Sequence, residues 1–462
     1  MDETSNHLTR NIANFAANLQ FSELPIEVVA ILKNIALDTI GTTLAGTTLG
    51  DACFEVGELV KKAAGSDEST LIGKGFKIPA LTAAFANGSA AHALNYDPLG
   101  SEGGHLGVSS IPSVLAAAEQ KQGVNGKEMV ASIAASAEIT SRLAASITRA
   151  GKNANEKFLE GQLLGYFGAA IGAGRAFGLS SEKMQSAIGI ALMQAAGSMQ
   201  VVFEGDPPAK AIYGGFSNMG GMLAAQLASQ GVGAGISAFE GRAGLFELFY
   251  DGVFDRKTLE DGLGSRWQVL KTQFKPWPTS ANVSPYIESA ISLYSKGLDL
   301  RKIKTVVAKA SPSLRPWCEP LEERRFPPNP TSAANSIIYG IAKGLANGKV
   351  GLIDFTENGM RDDRASAVAE LIVCEISEKF QNHYAIEVIM ENGDIHQETI
   401  NRVLGDPQRP LTQEHLREKF RECASHAAVS MTANQVDDLI STVESLELIE
   451  DVSELGTLLG NL

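Results

Sequence analysis

Residues 160–178 read EGQLLGYFGAAIGAGRAFG, with small and apolar residues on every face of a helix. A helix without a polar face has to be enclosed on all sides, so the chain must build a helical body thick enough to bury it. Gly168 and Gly172, one turn apart, let a neighbouring backbone come close. The unbroken apolar part, Leu163 to Gly174, is too short to span a bilayer. Its GAGRAFG follows no strand, so it does not read as a dinucleotide-binding loop.

The flanking sequence supplies more of that body. Apolar residues recur at helical spacing in 5–20 and 25–48, with Pro25 placed for a first turn. A helix from Cys53 to Ala64 follows, then a short extended segment from Ser69 to Gly73. Further helices are expected from Pro79 to about Ala86, Pro112 to Gln120 and Lys127 to about Ile147. Ser180 or Ser181 caps one that runs through Met193. Another begins at Lys210, after the Gly205-Asp-Pro-Pro208 break, and continues to about Gln230.

Beyond residue 268 the pattern changes. KIKTVVAKAS (302–311) alternates as a strand does, and Ile372–Ile376 and Ala385–Met390 also read as strands. Asn392-Gly393 signals a hairpin into Ile395–Ile400. Six prolines between Pro312 and Pro330 predict an irregular loop, and a helix is expected from Ala333 to Ala346. In the tail Thr412 and the Thr432-Ala-Asn-Gln435 capping box start helices. The expectation is a mainly α protein: a large all-α helical domain (1–268 and 405–462) with a smaller α+β lid domain (269–404) inserted.

A formal net charge of −14 argues against nucleic acid or an anionic membrane as partner. A small anionic substrate stays possible, because a few lysines focused in a cleft outweigh a diffuse acidic exterior. The four cysteines show no CxxC and no ligand spacing with histidine, so neither a disulfide framework nor a zinc site is expected. The opening MDETSNHLTRN is acidic and polar, unlike a targeting peptide, and a cytoplasmic protein is expected.

Chemistry concentrates in NGSAAHALNYDPLGSEGGHLGVSSIP (87–112), read as a glycine-rich loop between two alanine-rich helices. His105, among Gly103, Gly104 and Gly107, is placed to move protons near neutral pH, or else bonds a loop carbonyl. His92 reads as packed in a helix end, and Asp97 as a loop-fixing or catalytic carboxylate. Lys210 opens an otherwise uncharged helix and could hold a carboxylate, or snorkel to solvent. Lys275 stands in FKPWPTS where the pattern changes, and Tyr339 lies on an apolar helix face. No P-loop, Gly-x-Ser-x-Gly elbow or metal-binding set is visible, so a cofactor-free, metal-free site of His, Lys and Tyr between two domains is expected.

Taken together, NGSAAHALNYDP…GGHLGVSSIPSVLAAAE, GYFGAAIGAGRAFGLS, PAKAIYGGFSNMGGMLAAQLASQG, FKPWPTS and FPPNPTSAANSIIYGIAKGLANGKVGLIDF resemble the MmgE/PrpD family across nearly the whole chain. That family includes 2-methylcitrate dehydratase, cis-aconitate decarboxylase and iminodisuccinate epimerase. The resemblance implies the helical body with an inserted lid, a homodimer, and His105, Lys210, Lys275 and Tyr339 as catalytic residues. It also matches Asp97 to an aspartate of the family's Asp-aromatic-Asp-Asp run; Asn95, Asp97 and Ser280 are expected to contact substrate.

The departures are specific. Asn95 and Pro98 replace aspartates of that run, and Leu159-Glu160-Gly161 stands where the family has His-Pro-Thr. Ser280 and Ser284 occupy positions of a family Cys or His and a later His. The expected chemistry is proton abstraction next to a carboxylate of a small di- or tricarboxylate, by a dehydratase (lyase) or isomerase/epimerase. The alternatives are a decarboxylase and a catalytically silent ligand-binding member.

Overall fold

The computed structural model describes residues 7–63, 65–151, 157–381 and 383–460. The apolar run forms a helix, Glu160–Phe177, in which Leu163, Phe167 and Ile171 are fully buried. It packs against helices Tyr213–Ser229, Gly126–Arg149 and Ile111–Lys121. A Cβ at Gly168 would fall 2.4 Å from Thr140 Oγ1, and one at Gly172 2.7 Å from Val114 Cγ2. Only glycine permits those approaches.

Among the described residues one helix, Ile26–Leu49, is long and apolar enough to cross a bilayer. With 78% of its apolar window buried inside the protein, it is the central core helix of the body. Helices Gln413–Ala424 and Ala433–Glu444 from the tail pack against it. Leu416, Phe420, Leu439 and Leu455 thereby join the same core as Leu8, Ile35 and Leu164.

A second core contains Val283, Ile287, Val306, Ile341, Ile372 and Val388. It lies under a four-stranded sheet in the order Ile372–Ile376, Ile303–Ala310, Tyr384–Met390, Ile395–Ile400. The first pair is parallel and the other two are antiparallel. Helices Ser284–Ser295 and Ile337–Asn347 cover one face, and the Asn392-Gly393 hairpin forms as predicted.

Four local expectations need correction. Asn87–Ala93 is helical, because the helix Ala80–Ala93 continues where its buried side meets helix Tyr213–Ser229. Packing there outweighs the low helix propensity of Gly88 and Ser89. Lys210 ends a short 3₁₀ turn, Pro208–Lys210, and the long helix starts only at Tyr213. The proline-rich stretch contains brief helical turns, Pro312–Leu314, Arg315–Cys318 and Leu321–Arg325, with prolines just before them or in their first two positions, where a missing N–H costs nothing. Ser336 caps Tyr339 N and splits the predicted helix into Pro330–Ala334 and Ile337–Asn347.

Candidate active site

The chain after Ala93 forms a tight loop. Asn95 takes a left-handed φ of 50°, and Gly103 and Gly104 have φ of 110° and 85°. Leu99–Gly100 pairs with Thr272–Gln273 where the chain leaves the helical body, and Gly100 N donates to Gly104 O at 3.0 Å. This anchoring turns Asp97 inward and brings His105 back against it.

Asp97 is completely buried between two histidines. Its Oδ2 lies 2.5 Å from His105 Nδ1 and its Oδ1 3.1 Å from His92 Nδ1. An imidazole that donates from Nδ1 to a carboxylate keeps its Nε2 lone pair, the arrangement a base requires. The Nε2 edge of His105 faces an opening left by Gly161, where an added Cβ would lie 3.2 Å from Nε2 and 2.6 Å from the Tyr213 hydroxyl. His92 packs against the Tyr213 ring at 4.0 Å between centroids.

His92, Asp97 and His105 also have metal-ligand spacing, their ligand atoms lying within 4.8 Å of one another. With both Nδ1 atoms directed at carboxylate oxygens, however, the lone pairs a cation would need there are engaged, and the three work as a hydrogen-bonded clamp.

Charge tunes this clamp. Burial works to raise the Asp97 pKa, but His105, Lys275 and His92 together hold it well below the ordinary carboxylate value. Burial pushes His92 down to about 4 despite Asp97, so it is neutral at pH 7. Lys275 is almost wholly buried, with Nζ 2.7 Å from Asn95 O, 2.8 Å from Asn95 Oδ1 and 3.9 Å from Asp97 Oδ1. Burial lowers its pKa to about 8, with Asp97 opposing the shift.

Lys210 is buried with its ammonium 2.7 Å from Asp206 Oδ1, and Arg324 Nη1 reaches Asp206 Oδ2 at 3.0 Å. Burial lowers the Lys210 pKa, Asp206 counters it, and Arg324 adds to the fall. Arg324 belongs to the segment that carries the sheet, so this carboxylate ties that segment to the helical body.

The two parts enclose a cavity of about 720 Å³. His105, Asn95, Lys210 and Ser280 all line it, as do Tyr213 and Arg315. Lys275 stands behind Asn95 and acts on the cavity through Asn95 and Asp97. Tyr339 is the expected site residue that the structure places elsewhere. Its hydroxyl donates to the backbone carbonyl of Asp354, and its ring packs among Ala333, Ala334 and Phe355 beside a separate small cavity.

Models of the MmgE/PrpD N-terminal and C-terminal domains match residues 10–257 and 277–446. The chain belongs to the MmgE/PrpD family. It is 26% identical over 473 residues to human cis-aconitate decarboxylase, covering 98% of this chain and 94% of the human one. It is 24% identical over 483 residues to a cis-aconitate decarboxylase of Aspergillus terreus, covering 97% and 95%.

Within this MmgE/PrpD chain, sequence reasoning missed the roles of His92, Tyr213, Asp206 and Arg324. Spacing carried part of the signal. Asp206 stands four residues before Lys210 across a Pro-Pro turn, Tyr213 three residues after it, and His92 five residues before Asp97. Arg324 carried none, because its partner lies 118 residues away.

Proposed function

We propose that this protein is a cofactor-independent enzyme that moves a proton at the carbon next to a carboxylate of a small di- or tricarboxylate, as a lyase of the dehydratase type or an isomerase. The observation that carries this reading is the Asp97–His105 contact at 2.5 Å, with Nε2 of the same imidazole turned to a cavity that Lys210 also lines. Asp97 orients the ring and stabilises the imidazolium that forms once the proton is taken. Lys210 and Arg315 receive substrate carboxylates, and the cation nearest the reacting centre stabilises the enolate-like charge as it develops. The sheet-bearing segment acts as a lid, closing the cavity with Ser280 and Arg315.

A second reading, decarboxylation, draws on the relatives' named activity and on the apolar wall of Phe158, Leu159, Met199 and Trp317. A departing neutral CO2 suits such a wall.

The test is incubation with a panel of di- and tricarboxylates in D2O, cis-aconitate included, following deuterium at the α-carbon and release of CO2. Deuterium incorporation that disappears in His105→Asn supports the proposal. CO2 release without exchange selects the second reading, and saturable binding with neither rejects both in favour of a silent binder.

A further inference from the structure

Leu159-Glu160-Gly161 enters the site as more than a gap in a family motif. Phe158 forms an isolated β-bridge with Ser198, and Leu159 N donates to Gly197 O at 3.1 Å. Gln162 N then bonds Leu159 O, and the helix Glu160–Phe177 begins. This anchoring leaves Glu160 on the cavity wall with His105. Its Oε1 lies 3.2 Å from where a Cβ of Gly103 would be, two residues from His105, while the adjacent Gly161 keeps the space before His105 Nε2 open.

Among the described residues Glu160 has no hydrogen bond and no ion pair. The titratable groups around it are His105 and Tyr213 beside Gly161, and Tyr250 from helix Leu245–Tyr250, near enough that the Glu160 charge raises the Tyr250 pKa. The buried Tyr250 hydroxyl likewise has no hydrogen bond among the described residues. No cation among the described residues offsets the desolvation of Glu160, which lifts its pKa to about 7. A carboxyl that holds its proton at neutral pH and opens onto a cavity has the properties of a general acid.

We infer that Glu160 is a second catalytic residue, the group that delivers the proton completing the reaction begun at His105. This rests on the proton-abstraction reading above. His105 Nε2 takes the proton from carbon, and the C–H electron pair stays on the substrate, delocalised into its carboxylate. Glu160 then gives its own proton to the acceptor atom, a carbon in isomerisation or a leaving oxygen in elimination. It remains as carboxylate until cavity water restores the proton, while His105 releases the one it took.

Glu160→Gln keeps shape and removes the proton. In the wild-type chain we expect both α-deuterium exchange and product formation in the D2O assay. In Glu160→Gln we expect product formation to fall about 100-fold or more, with exchange into recovered substrate within about threefold of wild type. Glu160→Asp should restore part of the loss. Product formation in Glu160→Gln within about threefold of wild type, with an unchanged pH profile, overturns the assignment. Loss of exchange and product together overturns it too, since that is the signature expected of His105→Asn. If the wild-type chain itself shows neither, the function reading fails instead, and infrared titration of the full chain still decides on Glu160. A protonated-carboxyl band that titrates near neutrality and is absent from Glu160→Gln upholds a proton-bearing Glu160, and absence of such a band in the wild-type chain overturns it.

Discussion

Lys419, in the tail, sets its ammonium 2.7 Å from the carboxylate of Asp38, 381 residues earlier in the core helix Ile26–Leu49. The same Nζ donates to Tyr96 O at 2.8 Å and Lys275 O at 3.1 Å, and lies 3.6 Å from the Tyr96 ring centroid. One buried cation thus joins the core helix, the loop that carries Asp97 and the segment holding Lys275. Lys419→Met would leave Asp38 buried without its partner and strip two carbonyls of a donor. The expected loss is about 3–5 kcal/mol of unfolding free energy, read from urea denaturation.

Asp97→Asn should separate orientation from acid–base strength. The amide can bond only one imidazole Nδ1–H through its oxygen, and it no longer stabilises a charged His105. Turnover should fall about 100-fold or more with KM changed far less. A variant retaining near wild-type kcat would remove Asp97 from the mechanism.

His92 makes stability depend on pH. Its folded pKa of about 4 lies below the unfolded value of 6.5, so the unfolded chain binds more protons between those limits. Stability from keeping His92 neutral is therefore present above pH 6.5 and lost as pH falls toward 4, by about 3 kcal/mol. The difference between wild type and His92→Asn in denaturant midpoint should shrink over that window. A difference independent of pH would contradict it.

Lys275 should shape the alkaline side. Its ammonium, held at a pKa of about 8, helps keep Asp97 ionised, so activity should decline as pH rises through 8. In Lys275→Arg, whose side chain stays charged, that limb should move to higher pH. A pH–rate profile of kcat/KM for both proteins checks it.

Tyr339→Phe should leave kcat/KM within about twofold of wild type and lower stability by about 1 kcal/mol, the value of one hydrogen bond, here that to Asp354 O. A tenfold fall in kcat would return Tyr339 to the chemistry.

What could be read from the sequence follows from distance along the chain. Ser180, Thr412 and Thr432 cap helices through residues three positions away, and all three motifs form. The buried helix at 160–177 and the 392–393 hairpin are equally local in origin. The site is assembled from far-separated pieces: Lys275 meets Asn95 across 180 residues, and Arg324 meets Asp206 across 118. No periodicity announces such pairings. Local context singled out His105, Lys210 and Lys275, and family likeness gave them catalytic roles, yet it gave one to Tyr339 as well, whose hydroxyl Asp354 engages. Glu160 was visible only as a departure, because nothing local shows that a carboxylate at a helix start lacks partners among the described residues.

The contacts around Asp206 have a further consequence. Lys210 and Arg324 both lean on this one carboxylate, so formal charges of +2 and −1 leave +1 at that end of the cavity. At the other end Lys275 and Asp97 cancel. That end of the cavity therefore carries an unbalanced positive charge, which an anion beside Lys210 would balance. On the proposed reading, a neutral amide of the same shape would fit the walls yet leave that charge unbalanced, so discrimination against uncharged look-alikes would come from the fold itself.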